Sequence, residues 1–390
     1  MHTPNKKILL RSSWQTVNIG DIAHTPGLLT LLEKHLPEHE VWLWPTDVRN
    51  GVEGLLRQRF PYLRIVQTES DIEAAFAECD FLLHGSGPYL VGAEEVARWR
   101  NATGKPYGVF GITLPAGFAG PEVVHLLSGA RFAYFRDSVS LALAREHGVN
   151  CQDMAFVPDA AFAVDLRNDA PAEAFLAANG LKEGRFLCCI GRFRNTPYWR
   201  IPSKNMPMDA AKHARNEALK EQDHAPLREA ILQIVRGTDL KILLCPEDET
   251  QMGVNKEMIY DLLPEAARSR VVWREQYWLT DEALSTYVRS AGLFGHEMHS
   301  PILCVGNGIP AMVVRWAEQT SKGFMWRDIG LPDWLFDFDQ TIDRECFPAA
   351  ALHWAQHLPK ARARAAEARA MVESLHSAAM QKLGQELKEF

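Results

Sequence analysis

The sequence predicts an α/β protein made of two Rossmann-like doubly wound domains facing a cleft, with C-terminal helices packing back. Three observations carry this prediction. A chain of 390 residues is too long for one ordinary hydrophobic core. Short apolar runs alternate with amphipathic segments over residues 1–168 and again over 185–345, the pattern of β-α-β units and parallel sheets. Between the two series the pattern weakens to DLRNDAPAEAFLAANGLKEG, so 169–184 reads as a linker, and 346–390, rich in Ala, Arg and Glu, reads as helix interrupted at Pro359.

The elements follow in order. KKILLRSSW is the first strand, and TPGLLTLLEKHL is a helix with Thr25 as N-cap and Pro26 at its first position. EVWLWP and DFLLHGSGP are strands separated by the helical VEGLLRQRFP. PYGVFGITL and RFAYFRD are the next strands, and SVSLALAREHG is a helix stopped by Gly148. In the second series RFLCCIGRF, LKILLCPED, RVVW, GLFGHEMH and AMVVRW are strands. Helices fall near 226–236 and 254–263, and begin at Thr280 and Ser300.

The net charge of −7, with no run of Lys or Arg, argues against nucleic acid as a partner. No apolar run approaches the roughly 20 residues of a membrane helix, and Arg11 interrupts the first apolar stretch, so neither a membrane span nor a secretory signal is expected and the location is read as cytoplasmic. The seven cysteines are scattered without a CxxC pair and read as small buried hydrophobes in a reducing compartment.

Ligands of open α/β sheets bind beyond the carboxyl ends of the strands, so the loops placed there are the candidate site. In NIGDIAH, Asn18 and Asp21 flank a glycine that permits close ligand approach; the competing reading is an ordinary Asx turn. In HGSGPYLVG, Gly85, Ser86 and Gly87 bare backbone N–H groups for an oxyanion or a sugar hydroxyl, unless glycine is needed only for the turn. IGRFRNTPYWR sets Arg192, Arg194 and Arg200 among aromatic residues, with guanidinium forks suited to carboxylate or phosphate and Tyr198 or Trp199 suited to stacking; solvated loop arginines are the commoner case. CPEDETQM places Glu247, Asp248 and Glu249 at a strand end, where such acids more often serve a helix dipole than a metal, and His35 and His39 lack ligand spacing. No metal and no cofactor is expected. In GHEMHSP, Ser300 and Pro301 have the residue types of N-cap and N1, and Glu297 and His299, two apart, point to one side of an extended turn as an acid/base pair. The alternative is a capping carboxylate and a structural histidine.

Together these features resemble the polysaccharide pyruvyl transferase family. The resemblance runs over most of the chain: NIGD after the first strand, CDFLLHGSGPYL, GKPYGVFGITL, FRDSVSLALAREHGV followed by VPDAAF, the His299 turn before GNGIPAMVV, and Lys322 in EQTSKGFMWRDIGL. It implies a GT-B-like fold and a transferase that moves the enolpyruvyl carbons of phosphoenolpyruvate onto the hydroxyls of a saccharide or oligosaccharide. It also implies His299 as general acid, and Arg192 or Arg194 with Lys322 holding anionic groups. The family's turn carries an arginine two residues before the histidine, where this chain has Glu297. Two other readings stand beside this one: Glu297 and His299 as acid and base for glycosidic cleavage or glycosyl transfer, with Trp199 and Trp278 as stacking platforms, and a non-catalytic saccharide-binding relative. The sugar, the linkage and the formation of a homo-oligomer stay open.

Overall fold

The computed structural model describes residues 5–389. The chain divides into two compact units, one formed by residues up to Thr16, Gly20–Leu166 and those from Ala370 on, the other by Val17–Ile19 and Arg167–Arg369.

The first unit is built on a seven-stranded sheet: β1 (Lys7–Ser12), β2 (Glu40–Pro45), β3 (Arg64–Ile65), β4 (Phe81–His84), β5 (Tyr107–Ile112), β6 (Ala133–Phe135) and β7 (Met154–Phe156). The strands lie in the order β3-β2-β1-β4-β5-β6-β7, and each pairing is parallel. Helices Ile19–His35, Val52–Arg59, Glu69–Glu78, Ala93–Thr103, Pro121–Ser128 and Ser138–Glu146 make the crossovers. β4 and β5 are buried at every position, as strands covered on both faces must be. From Ala370 on, the last helix packs on this unit: His376 Nε2 lies 2.9 Å from the Pro158 carbonyl, and Met380, Leu383 and Leu387 are buried.

The first helix begins at Ile19, six residues before the expected cap, and carries Pro26 inside it. Thr25 does not cap. Its hydroxyl lies 2.9 Å from that of Ser12 on β1, and a Cβ at Gly27 would sit 2.1 Å from the Ala160 carbonyl oxygen. The Thr-Pro-Gly triplet serves close packing of a buried helix, a tertiary demand that overrides the helix-start signal.

The second unit carries a six-stranded parallel sheet: β8 (Phe186–Ile190), β9 (Lys241–Leu244), β10 (Val271–Trp273), β11 (Gly292–Gly295), β12 (Ala311–Arg315) and β13 (Leu335–Asp337), ordered β10-β9-β8-β11-β12-β13. The helix expected near 226–236 is far longer, Ala210–Gly237, with Pro226 inside it. The helix expected near 254–263 is Gln251–Met258. All the longer expected strands are present; β3, β7 and β13, each of two or three residues at a sheet edge, carry too short an apolar signal to be read.

In each sheet the chain works outward in one direction and then in the other. The reversal falls between β1 and β4 in the first unit and between β8 and β11 in the second. Such a switch point splays the two following loops apart and opens a crevice at the carboxyl ends of the strands.

Candidate functional site

The loop after β8 carries Arg192, and the loop after β11 carries Glu297 and His299, so the switch point of the second unit brings these three predicted residues together. Their approach depends on Gly295. It pairs with Ile190 at φ 144°, and a Cβ there would sit 2.2 Å from the Ile190 carbonyl oxygen. Gly295→Ala is expected to cost about 2–3 kcal/mol of folding stability, read as a lowered denaturation midpoint in urea; an unchanged midpoint would show that β11 can shift away from β8 at no cost.

Glu297 is buried and meets the Arg192 guanidinium with Nη1 3.1 Å from Oε1 and 3.2 Å from Oε2. Arg192 is itself held by donation to the Phe193 carbonyl at 3.0 Å and to the Thr196 hydroxyl at 3.1 Å. Gln251, at the start of the helix after β9, donates through one amide nitrogen to Glu297 Oε1 at 2.6 Å and to Asp248 Oδ2 at 2.9 Å, while its Oε1 accepts the Glu247 N–H at 2.7 Å. Asp248 also accepts from the Thr250 N–H at 2.7 Å. The buried carboxyls of Asp248 and Glu297 therefore share one amide bridge, whose oxygen holds the Glu247 backbone, and Arg192 and Lys322 face the acids.

Burial raises all three. Glu297 is pushed up to about 7 by desolvation, with Arg192 opposing and Glu247 adding to the rise. Asp248 is pushed up to about 6 by desolvation and by the charge of Glu297. Glu247 is raised by desolvation and pulled back by Lys322 and by the Ser300 N–H.

Glu297 and His299 do not bond to one another; each is tied to the segment after β9. His299 opens the helix His299–Gly306, and its Nδ1 lies 3.3 Å from Glu247 Oε1. Glu247 Oε2 accepts the Ser300 N–H at 2.6 Å. Ser300 is thus not the N-cap. The cap position lies two residues earlier, at Met298, which has no side-chain bond, and a carboxylate from another loop takes an N–H of the first turn, while the Ser300 hydroxyl turns to Tyr287 OH at 3.1 Å.

The other predicted residues fall in several places. Asn18 lies beside the acidic segment, in an antiparallel bridge with Asp248 flanked by Ile19 N–H to the Glu247 carbonyl at 2.9 Å. Lys322, in a 3-10 turn after β12, is near enough to favour ionisation of both Glu247 and Glu297. Arg194 is engaged in a structural network: its Nε and Nη2 donate to Asp223 at 2.8 and 3.0 Å, and Nη1 reaches Asp339 at 2.5 Å and Glu318 at 3.3 Å. Trp278 is no platform, being buried with its N–H donated to the Pro246 carbonyl at 2.9 Å.

Asp21, Gly85, Ser86 and Gly87 belong to the first unit. Gln15 donates to Asp21, and His24 Nε2 lies 3.6 Å from its carboxylate. His24 is in turn bonded through Nδ1 to Asp159 at 2.9 Å, which also receives Arg136 at 2.6 Å. The glycine loop stands at the first unit's switch point, but its own neighbours call for glycine: a Cβ at Gly85 would lie 2.9 Å from Ser12 Oγ, and one at Gly87 3.1 Å from Trp14 Nε1. The Ser86 hydroxyl accepts the Ala160 N–H at 3.1 Å.

Glu247, Asp248 and Gln251 are the site residues that sequence reasoning missed. The available signal was three acids directly after a buried strand, and it did not separate a solvated run from a buried cluster.

Solved structures with the same architecture include the S. aureus MnaA–UDP structure, 12% identical with TM-score 0.55 over 93% of this chain and 90% of that one. Anabaena HepE in complex with UDP and glucose is 10% identical, TM-score 0.58, over 99% and 100%. A trehalose 6-phosphate synthase of Burkholderia multivorans is 9% identical, TM-score 0.56, over 98% and 96%. At such identities the likeness speaks for the fold alone, which is GT-B-like. No curated protein sequence matches the chain. The pattern of the polysaccharide pyruvyl transferase family matches residues 18–318, and the chain belongs to that family. It is accordingly a transferase that modifies saccharides. No helix among the described residues is long and apolar enough to cross a membrane.

Proposed function

We propose that the enzyme transfers the pyruvyl carbons of phosphoenolpyruvate to saccharide hydroxyls at the His299 site. His299 gives a proton to the methylene carbon, so that a C–H bond forms as the N–H breaks and C2 becomes electron-deficient. A first sugar hydroxyl adds to C2, phosphate departs with the electrons of its C–O bond, and a second hydroxyl closes the ketal, each hydroxyl losing its proton. Arg192 and Lys322 hold the carboxylate and phosphate, and their charge offsets that of the donor.

The observation that carries this reading is the burial of Glu297 with its Oε1 3.1 Å from Arg192 Nη1, a desolvation that pushes the carboxyl up to about 7. An ionised glutamate next to a bound anion costs about 4 kcal/mol at an effective dielectric of 20 and a separation of 4 Å. Protonating a group held at about 7 costs less than about 1 kcal/mol at neutral pH. Protonation therefore wins: Glu297 binds as a neutral acid, donates a hydrogen bond where the family's arginine would, and releases Arg192 from its ion pair.

Below pH 7 Glu297 already carries its proton and adds no penalty. Above it, binding must take up a proton, so donor affinity falls about tenfold per pH unit. Calorimetric titration with phosphoenolpyruvate from pH 6 to 9 checks this, and Glu297→Gln is expected to flatten the slope; an equal slope in the variant assigns the proton to another group. The reaction is tested by phosphate release from phosphoenolpyruvate with a panel of oligosaccharide acceptors. No release, with no thermal protection by phosphoenolpyruvate, would overturn the proposal, and oligosaccharide cleavage lost in Glu297→Gln would put glycoside chemistry in its place.

A further inference from the structure

We propose that Glu247 is a positioning residue for the reaction, fixing the ring and the protonated nitrogen of His299 while anchoring the helix on which His299 stands. The inference rests on the reading of His299 as the proton donor, and its geometry is independent of that reading. One oxygen of the Glu247 carboxylate lies 3.3 Å from His299 Nδ1; the other accepts the Ser300 N–H at 2.6 Å. A single side chain thus binds both the ring and the first turn of the helix His299–Gly306, which removes the freedom of each relative to the other.

Glu247 is itself fixed from three directions. Its N–H donates to Gln251 Oε1 at 2.7 Å, its carbonyl accepts the Ile19 N–H at 2.9 Å, and its side chain is fully buried. Burial raises its carboxyl, and Lys322 and the Ser300 N–H oppose that rise and favour the ionised form. An ionised carboxylate can only accept. An ionised Glu247 places the His299 hydrogen on Nδ1, 3.3 Å from its Oε1, and leaves exchange with a substrate carbon to Nε2. The fixed negative charge also stabilises the imidazolium that must exist before the proton is given up.

The cap role and the ring role are separable by one substitution. In Glu247→Gln the amide oxygen still accepts from Ser300, so the helix and the fold are retained, but the charge is gone and the amide offers Nδ1 no unique partner. The expected result is a kcat about 10- to 100-fold lower, with KM for phosphoenolpyruvate within about threefold. In a His299→Gln background the same substitution is expected to change kcat by less than about twofold, because its effect passes through the ring. Nitrogen-15 spectra of the imidazoles, with the His299 signals assigned by their loss in His299→Gln, give a readout that needs no substrate. The wild type is expected to show the Nδ1-protonated tautomer in its neutral form, and Glu247→Gln a mixture or the Nε2-protonated tautomer. An unchanged tautomer, or an equal kcat loss with and without His299, would overturn the proposal. If the wild type releases no phosphate, the function proposed above fails while the tautomer measurement still decides whether Glu247 orients the ring.

Discussion

His299→Gln is expected to lower phosphate release from phosphoenolpyruvate by about 100- to 10,000-fold while leaving the fold intact, the range that loss of a positioned general acid produces. In the proposed reaction, protonation of the methylene carbon creates the electron-deficient centre, and without a proton donor at that point neither hydroxyl can add. Glutamine keeps the volume and a hydrogen-bond donor for Glu247, so the helix beginning at His299 should stay docked; the melting temperature and the circular dichroism spectrum check this. In the proposed reaction Arg192 and Lys322 hold the donor's anionic groups, so KM for phosphoenolpyruvate is expected to change little and the loss to fall on kcat. Activity kept within about threefold would move the proton transfer to Glu297, whose value of about 7 also fits a general acid at neutral pH.

Arg194→Leu is expected to cost about 3–5 kcal/mol of folding stability, the toll of removing one partner from a buried ion pair. Arg194 and Asp223 are both buried and joined by two hydrogen bonds of 2.8 and 3.0 Å. Burial already raises the Asp223 carboxyl despite the guanidinium. Without Arg194 the acid must be desolvated unpaired or protonated, and Asp339 and Glu318 lose the same partner. The double variant Arg194→Leu/Asp223→Leu is expected to recover much of the loss, since it removes the stranded charge. Urea denaturation measures both. A variant that keeps its midpoint but binds phosphoenolpyruvate far more weakly would return Arg194 to the anion-holding role the sequence suggested.

The two arginines show where reading the sequence stops. Arg192 and Arg194 are two residues apart on one loop, equally cationic and equally close to a strand end. Their difference lies in partners distant in the chain: Glu297 for Arg192, and Asp223, Glu318 and Asp339 for Arg194. Serine at 300 and proline at 301 likewise spell a helix start correctly to within two residues, but the acceptor for the Ser300 N–H comes from Glu247, more than fifty residues earlier. Local propensity cannot represent a cap supplied by another loop.

The sequence by itself determined the alternation of strands and helices, the two parallel sheets and, through the family pattern, the class of enzyme. These depend on periodicity and order, which are properties of neighbouring residues. Only the tertiary structure decided what the acids do. Glu247, Asp248 and Glu249 read as an ordinary charged run, yet the first two are buried and Glu247 binds the His299 turn. Glu297 read as an anion set against an anionic donor, and burial among carboxyls instead brings it to about 7, where it can be neutral. A carboxyl's charge is set by its desolvation and by the groups within a few ångströms, and both arise only when β9 and β11 deliver their loops to the same end of one sheet.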